Sequence, residues 1–190
     1  HIGYVEPEFY DELGRRRYTF HNNTLTEYQL ADGTWRLYMP LSFNTFKSNL
    51  TVSSGGHYSL VYYSDDGGYT WTPAKNDTRD VMVGYNPENL DVDWAESKVI
   101  QCTDGSMRMY YSRGWIGCIT YTESFDNGVT WEGHYSIPEM QTAKASHNLV
   151  QDKKTGYYYM VWVNNNPVKS RSNFSRTRGS VALSKDGKTW

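Results

Sequence analysis

The sequence predicts an all-β chain folded as three consecutive four-stranded blades of a β-propeller. Three observations predict it. A short motif recurs at a fixed period of sixty residues, each copy follows the same order of strand and turn signals, and no segment carries a convincing helical period.

The motif is Ser64-Asp65-Asp66-Gly67-Gly68-Tyr69-Thr70-Trp71. It returns as Ser124-Phe125-Asp126-Asn127-Gly128-Val129-Thr130-Trp131, and one residue shorter as Ser184-Lys185-Asp186-Gly187-Lys188-Thr189-Trp190. Its chemistry is that of a turn. Ser and Asp side chains hydrogen-bond nearby backbone N–H groups, Gly supplies a conformation closed to other residues, and Trp covers the seam between sheets. The structural positions are Ser64, Asp66, Gly68 and Trp71; Ser124, Asp126, Gly128 and Trp131; and Ser184, Asp186, Gly187 and Trp190. An Asp-rich turn also suits Ca²⁺, but carboxylates sixty residues apart do not form one site, so no metal is expected.

Upstream of each copy the pattern repeats. Asn23–Leu30, Ala95–Cys102 and Ser146–Gln151 read as first strands, followed by turns at Asp32-Gly33, Asp104-Gly105 and 152–156. Second strands follow at Trp35–Pro40, Met107–Ser112 and Tyr157–Val163. Third strands at Tyr58–Tyr63, Ile116–Thr122 and Ser180–Leu183 run into the motif, and each Trp opens a fourth. Blade-like repeats are expected at about 1–75, 76–135 and 136–190 of a single partial propeller domain.

Composition limits the partners. A net charge of −2 leaves no electrostatic footprint for nucleic acid, and no apolar run is long enough to span a membrane. Aromatic content of 16%, including 17 Tyr and 7 Trp, argues against disorder and suits sugar-binding clefts. Cys102 and Cys118 sit near opposite ends of neighbouring predicted strands and are expected unbonded. Sequons begin at Asn22, Asn49, Asn76 and Asn173; about two would arise by chance, so they lean only slightly toward secretion. His21 and His147 read as hydrogen-bonding strand residues, and Lys153-Lys154 as a solvated turn. The chain starts at His1 without Met and stops at Trp190 inside the motif, so both ends read as arbitrary.

The motif S-x-D-x-G-x-T-W is the Asp box, or bacterial neuraminidase repeat, and the whole chain resembles the sialidase family. The middle repeat is the more specific part. Trp94-Ala95-Glu96-Ser97-Lys98-Val99-Ile100-Gln101-Cys102-Thr103-Asp104-Gly105, continuing to Arg113, looks like the sialidase stretch in which a Glu starts a strand, a D-G turn follows, and an Arg ends the next strand. Arg176, eight residues before Ser184, matches a further family Arg.

The resemblance implies a six-bladed parent propeller and a retaining exo-α-sialidase that releases terminal sialic acid without a cofactor. In that family three arginines clamp the sialic acid carboxylate, a neutral Tyr attacks, a Glu activates it, and an Asp serves as acid/base. Glu96 would be the activating Glu, and Arg113 and Arg176 two clamp arginines on sialylated glycans, all three facing one axial cleft. The chain departs from the pattern in three places. The Arg-Ile-Pro-type motif is absent, with Asn23 or a neighbour at its place; no acid/base Asp can be assigned; and the nucleophilic Tyr would lie about a blade beyond Trp190. These residues alone are therefore expected to be inactive. Alternative readings are another Asp-box glycan enzyme, such as an exo-arabinanase or polysaccharide lyase, and a non-catalytic glycan-binding propeller.

Overall fold

The structure is a computed structural model that describes residues 19–20, 25–44, 57–81, 94–111, 117–142, 145–164 and 178–190. Every regular element among them is a β-strand, and the strands form three antiparallel sheets in chain order.

The first sheet holds β1 (Thr19–Phe20), β2 (Thr26–Gln29), β3 (Trp35–Asn44), β4 (His57–Ser64) and β5 (Thr72–Pro73). It has five strands where four are expected. Its long strand β3 does not end at Pro40 but runs on to Asn44, pairing with β4 over its whole C-terminal part. Two short strands share the other edge of β3: β2 opposite Trp35–Tyr38 and β1 opposite Ser42 and Phe43. Together they fill one strand position. The second sheet has four strands, β6 (Lys98–Gln101), β7 (Met107–Tyr111), β8 (Cys118–Ser124) and β9 (Glu132–Gln141). The third has β10 (Asn148–Gln151), β11 (Tyr158–Val163) and β12 (Gly179–Ser184).

The first hairpin of each sheet closes where the turn residues require it. Gly33, Gly105 and Gly156 adopt φ of 88°, 84° and 76°, a region that glycine enters without Cβ strain. The N–H of Gly33 donates to Leu30 O at 2.9 Å, that of Gly105 to Cys102 O at 2.9 Å, and that of Gly156 to Asp152 O at 2.7 Å.

The three motif turns share one set of hydrogen bonds. The Ser64 hydroxyl donates to Asp66 Oδ1 at 2.7 Å and accepts from Gly68 N–H at 2.9 Å, while Asp66 accepts from both the N–H and the hydroxyl of Thr70. Ser124, Asp126, Gly128 and Thr130 repeat this, and so do Ser184, Asp186, Gly187 and Thr189. The Thr70 bonds, then the Ser64 bond, hold the Asp66 carboxyl far below its usual range, at about 2.

The second and third turns also fasten their sheets to the sheet before. Tyr38 and Arg36 of β3 both donate to Asn127 O in the second motif, at 3.1 and 3.0 Å. One sheet later, Tyr110 of β7 donates to Gly187 O at 2.6 Å and Arg108 to Lys188 O at 3.0 Å. The two arginines are held alike: Arg36 pairs with Asp65 and lies over the Tyr63 ring, while Arg108 pairs with Glu123 and lies over the Tyr121 ring. Trp131 is buried in the first seam with Tyr38, Val61, Val99 and Met109. Trp190 packs into the second seam, which Ile100, Tyr110, Leu149 and Tyr158 build, and donates from Nε1 to Tyr110 O–H at 3.1 Å. Trp71 lies on the other face of the first sheet, against the Leu41–Phe43–Tyr58 cluster. Cys102 and Cys118 are buried free thiols.

Close packing at the seam separates two glycines with similar backbones. Gly67 (φ 72°) has open space where a Cβ would stand, whereas a Cβ on Gly128 (φ 79°) would lie 2.8 Å from the buried Tyr38 ring. Gly67→Ala should cost about 1–2 kcal/mol of left-handed backbone strain, and Gly128→Ala about 1–3 kcal/mol more from overpacking. Urea unfolding of both variants measures the difference, and equal losses would show that the Tyr38 contact does not hold the seam.

Candidate functional site

The three sheets meet at the start of β6. Ahead of that strand, residues Trp94 to Ser97 are buried throughout and held by the first sheet. Trp94 N–H donates to His57 O at 2.8 Å, the Ser59 hydroxyl donates to Trp94 O at 2.8 Å, and Glu96 N–H donates to the Ser42 hydroxyl at 3.1 Å. Ser42 and Ser59 lie on neighbouring strands with their hydroxyl oxygens 3.4 Å apart.

These contacts hold Glu96 at φ 61°, in the left-handed region that non-glycine residues seldom occupy. The sequence reading has Glu96 inside a strand from Ala95 to Cys102; the strand instead begins at Lys98, and Glu96 occupies a left-handed turn before it. Such a conformation costs on the order of 1 kcal/mol or more and persists only where surrounding contacts impose it. Here the Ser42 and Ser59 bonds supply that constraint. Glu96 is 6% exposed.

Two further buried ionisable groups follow, Lys98 within reach of the Glu96 charge and His147 within reach of the Lys98 charge. Lys98 is the first residue of β6 and 4% exposed. Burial drives its pKa down to about 8, and the Glu96 carboxylate opposes the shift. His147 immediately precedes β10 in the third sheet and is 3% exposed. Burial first, and then the Lys98 charge, drive its pKa down to about 3, so the imidazole is neutral near neutrality. Neither ring nitrogen has a hydrogen-bond partner among the described residues, contrary to the expectation of a hydrogen-bonded strand histidine. The reason is its position: His147 is buried just ahead of β10, not on the strand.

Of the predicted catalytic and clamp residues, Glu96 alone is described. Arg113 and Arg176 lie outside the described residues, as do His21, Asn23 and the sequons at Asn22, Asn49 and Asn173. Asn76 is described, and its side chain serves the fold. It donates to Trp131 O at 2.6 Å and accepts from Trp131 N–H at 2.8 Å, tying the end of the first sheet to the second motif. Sequence reasoning passed over Ser42, Ser59, Lys98 and the burial of His147. A lysine two positions after a candidate glutamate was the one available signal.

A groove of about 570 Å³ runs between β2 and β10, with Trp35, Leu25, Gln29, Asn148, Val150 and Lys153 among its walls. Its ion pair, Lys153 to Glu27 at 3.3 Å, is exposed. Chemistry needs desolvated charge and fixed geometry, which the Glu96 end has and this groove lacks.

The neutral state of His147 makes stability depend on pH. Folded, its pKa is about 3; unfolded, it returns to the ordinary 6.5. The contribution is fully present above pH 6.5 and is lost as pH falls from 6.5 toward 3, because the unfolded chain takes up a proton that the folded chain refuses. Denaturant unfolding at pH 6.0 to 4.5 should show a slope approaching about 1.4 kcal/mol per pH unit. His147→Gln should flatten it; an identical slope in both proteins would assign the ring to solvent.

No model of a known protein family matches the chain. Solved structures with similar folds include the NanB sialidase of Streptococcus pneumoniae in complex with 2-[(3-chlorobenzyl)ammonio]ethanesulfonate, at a TM-score of 0.58 and 20% identity over 94% of this chain and 23% of that one. The leech intramolecular trans-sialidase complexed with 2,7-anhydro-Neu5Ac gives 0.51 and 22% over 78% and 19%. The Trypanosoma rangeli sialidase gives 0.51 and 18% over 83% and 23%. The chain thus spans 19–23% of the length of these sialidases. At such identities the likeness is one of fold: these residues form consecutive blades of a sialidase-like β-propeller.

Proposed function

We propose that the protein containing these residues is an exo-α-sialidase, a retaining glycosidase that removes terminal sialic acid, and that Glu96 is its activating base. The observation that carries this reading is the placement of Glu96: a buried carboxylate, held in a left-handed turn by Ser42 and Ser59, at the entry of an inner strand of a sialidase-like propeller.

The chemistry suits that placement. Sialic acid carries a carboxylate on its anomeric carbon, so an anionic nucleophile would be repelled and a neutral phenol is the better attacking group. Its hydroxyl needs a base within hydrogen-bond reach, fixed so that the proton moves as the oxygen attacks. In this reading Glu96 takes the phenolic proton while the aglycone oxygen leaves with a proton from an acid/base carboxyl. Water then cleaves the glycosyl–tyrosine bond with overall retention. The nucleophile and the acid/base group are assigned to no residue of this chain. Arg113 and Arg176 are proposed to clamp the substrate carboxylate through charge-assisted, bidentate bonds.

The test uses the natural full-length protein and a fluorogenic α-sialoside. Glu96→Gln should lower kcat about 10²–10⁴-fold while the protein stays folded, the range that general acid–base catalysis supplies. Arg113→Ala should chiefly raise KM. Absence of turnover by the unaltered protein, with sialoglycan binding retained, would replace this reading with a glycan-binding propeller.

A further inference from the structure

We infer that His134 is a positioning residue for the turn that carries Glu96: a β-bulge sets its imidazole against Trp94, and the uncharged ring holds that indole, and with it the entry to β6, on the second sheet. The catalytic consequence rests on the proposed role of Glu96, whereas the contact itself is testable without it.

The bulge lies in β9. That strand pairs with β8 at Tyr135 opposite Tyr121 and at Glu132 opposite Glu123, so Gly133 and His134 together stand against the single residue Thr122. Gly133 adopts φ 69°, the left-handed conformation that such a bulge asks of glycine. An extra residue in one strand re-aims the side chains beside it. The His134 ring comes to lie with its centroid 4.2 Å from that of Trp94, at 88°, and 6.0 Å from that of Tyr111, almost parallel at 6°. Trp94 and Tyr111 meet edge-on at 5.7 Å.

The Glu96 turn is thereby held from two sides. Toward the first sheet it is fixed by directed bonds, from Trp94 N–H to His57 O, from the Ser59 hydroxyl to Trp94 O, and from Glu96 N–H to the Ser42 hydroxyl. Toward the second sheet it offers the indole. Trp94 Nε1 is buried without a hydrogen-bond partner among the described residues, so packing fixes the ring, and His134 and Tyr111 are its aromatic contacts there. Only Ala95, itself fully buried, separates Trp94 from Glu96. A shift of the indole is therefore passed to the left-handed residue two positions on.

The contact tolerates only a neutral imidazole. Both ring nitrogens of His134 are buried with no hydrogen-bond partner among the described residues. Protonation would bury a second N–H and a full charge with no acceptor for either. The rings against it bring no charge, since burial first of all pushes the Tyr111 phenol far above its usual range and an indole does not titrate. On the neighbouring positions of β8 and β9, Glu123 pairs with Arg108, Glu132 is exposed opposite Glu123, and Tyr135 packs on Tyr121. His57 reaches Trp94 through its backbone carbonyl, and Glu96 lies beyond Ala95. Burial lowers the His134 pKa below the ordinary 6.5, and no charge contributes to the shift. The folded ring thus refuses a proton that a released ring accepts. The contact is fully present above pH 6.5 and weakens as pH falls below it.

Hydrogen exchange of the natural full-length protein reads this directly, through peptides covering residues 94–97 and with the intrinsic pH dependence of exchange removed. Protection of this turn should fall between about pH 6.5 and 5, by up to about tenfold per pH unit. His134→Phe keeps a flat ring that cannot take a proton, so its protection should stay level over that range; His147 is unchanged in this variant, so the difference belongs to His134. His134→Ala should lower protection at least about tenfold at every pH, since the space it leaves frees the indole. An equal fall with pH in the unaltered and His134→Phe proteins would overturn the inference, and so would full protection in His134→Ala. On a fluorogenic α-sialoside near pH 7.5, His134→Ala should lower kcat at least about tenfold with KM little changed, and His134→Phe should restore most of the loss, because misplacing a catalytic group costs rate more than affinity. Reduced protection with unchanged kcat in His134→Ala would overturn the positioning role. Reduced protection in a protein whose unaltered form turns over no sialoside would uphold the contact and reject the sialidase reading.

Discussion

A β-sheet with two apolar faces is stable only when other elements cover both, here neighbouring sheets, and the fastening of one sheet to the next governs everything else in this molecule. The second sheet is the clearest case, with Val99, Met107, Met109 and Tyr111 facing one way and Ile100, Tyr110 and Ile119 facing the other. Apolar contact alone would let neighbouring sheets slide. The second and third motif turns prevent this, because their carbonyls accept hydrogen bonds from an Arg and a Tyr two residues apart on the preceding sheet, and these bonds have direction. On the third sheet, Tyr159 and Val161 stand at the register positions of that pair, and Val150, Val161, Val181 and Leu183 are exposed on the same face.

The fixed seams explain why the candidate site lies where it does. Ser42 and Ser59 reach the backbone of Trp94 and Glu96 only because the first seam holds β3 and β4 against the entry to β6. His147 approaches Lys98 only because the second seam sets the start of β10 beside β6. Each sheet thus contributes buried groups near the start of β6: two serines from the first, Glu96 and Lys98 from the second, and the histidine from the third. Asn76 shows the same economy on a smaller scale, since a residue in a sequon spends its amide on the backbone of Trp131.

The strand content, the hairpin turns at Asp32-Gly33 and Asp104-Gly105, and the sixty-residue repeat were legible in the sequence, because each depends on residues close together in the chain. The hydrogen bonds inside each motif turn are of that kind: Ser, Asp, Gly and Thr lie within a few residues and form the same bonds three times. What the chain alone determined is therefore local geometry and its recurrence; Glu96 was singled out only through the sialidase resemblance of the stretch from Trp94 to the D-G turn. Tertiary structure decided what depends on distant residues. It joined β1 and β2 into one edge of β3, carried β3 past Pro40, and gave Glu96 a left-handed backbone through two serines 54 and 35 residues from the groups they bind. It also set the charges, since a lysine and a histidine far apart in sequence acquire low pKa values only when two sheets close over them and remove the water that would otherwise solvate either ion.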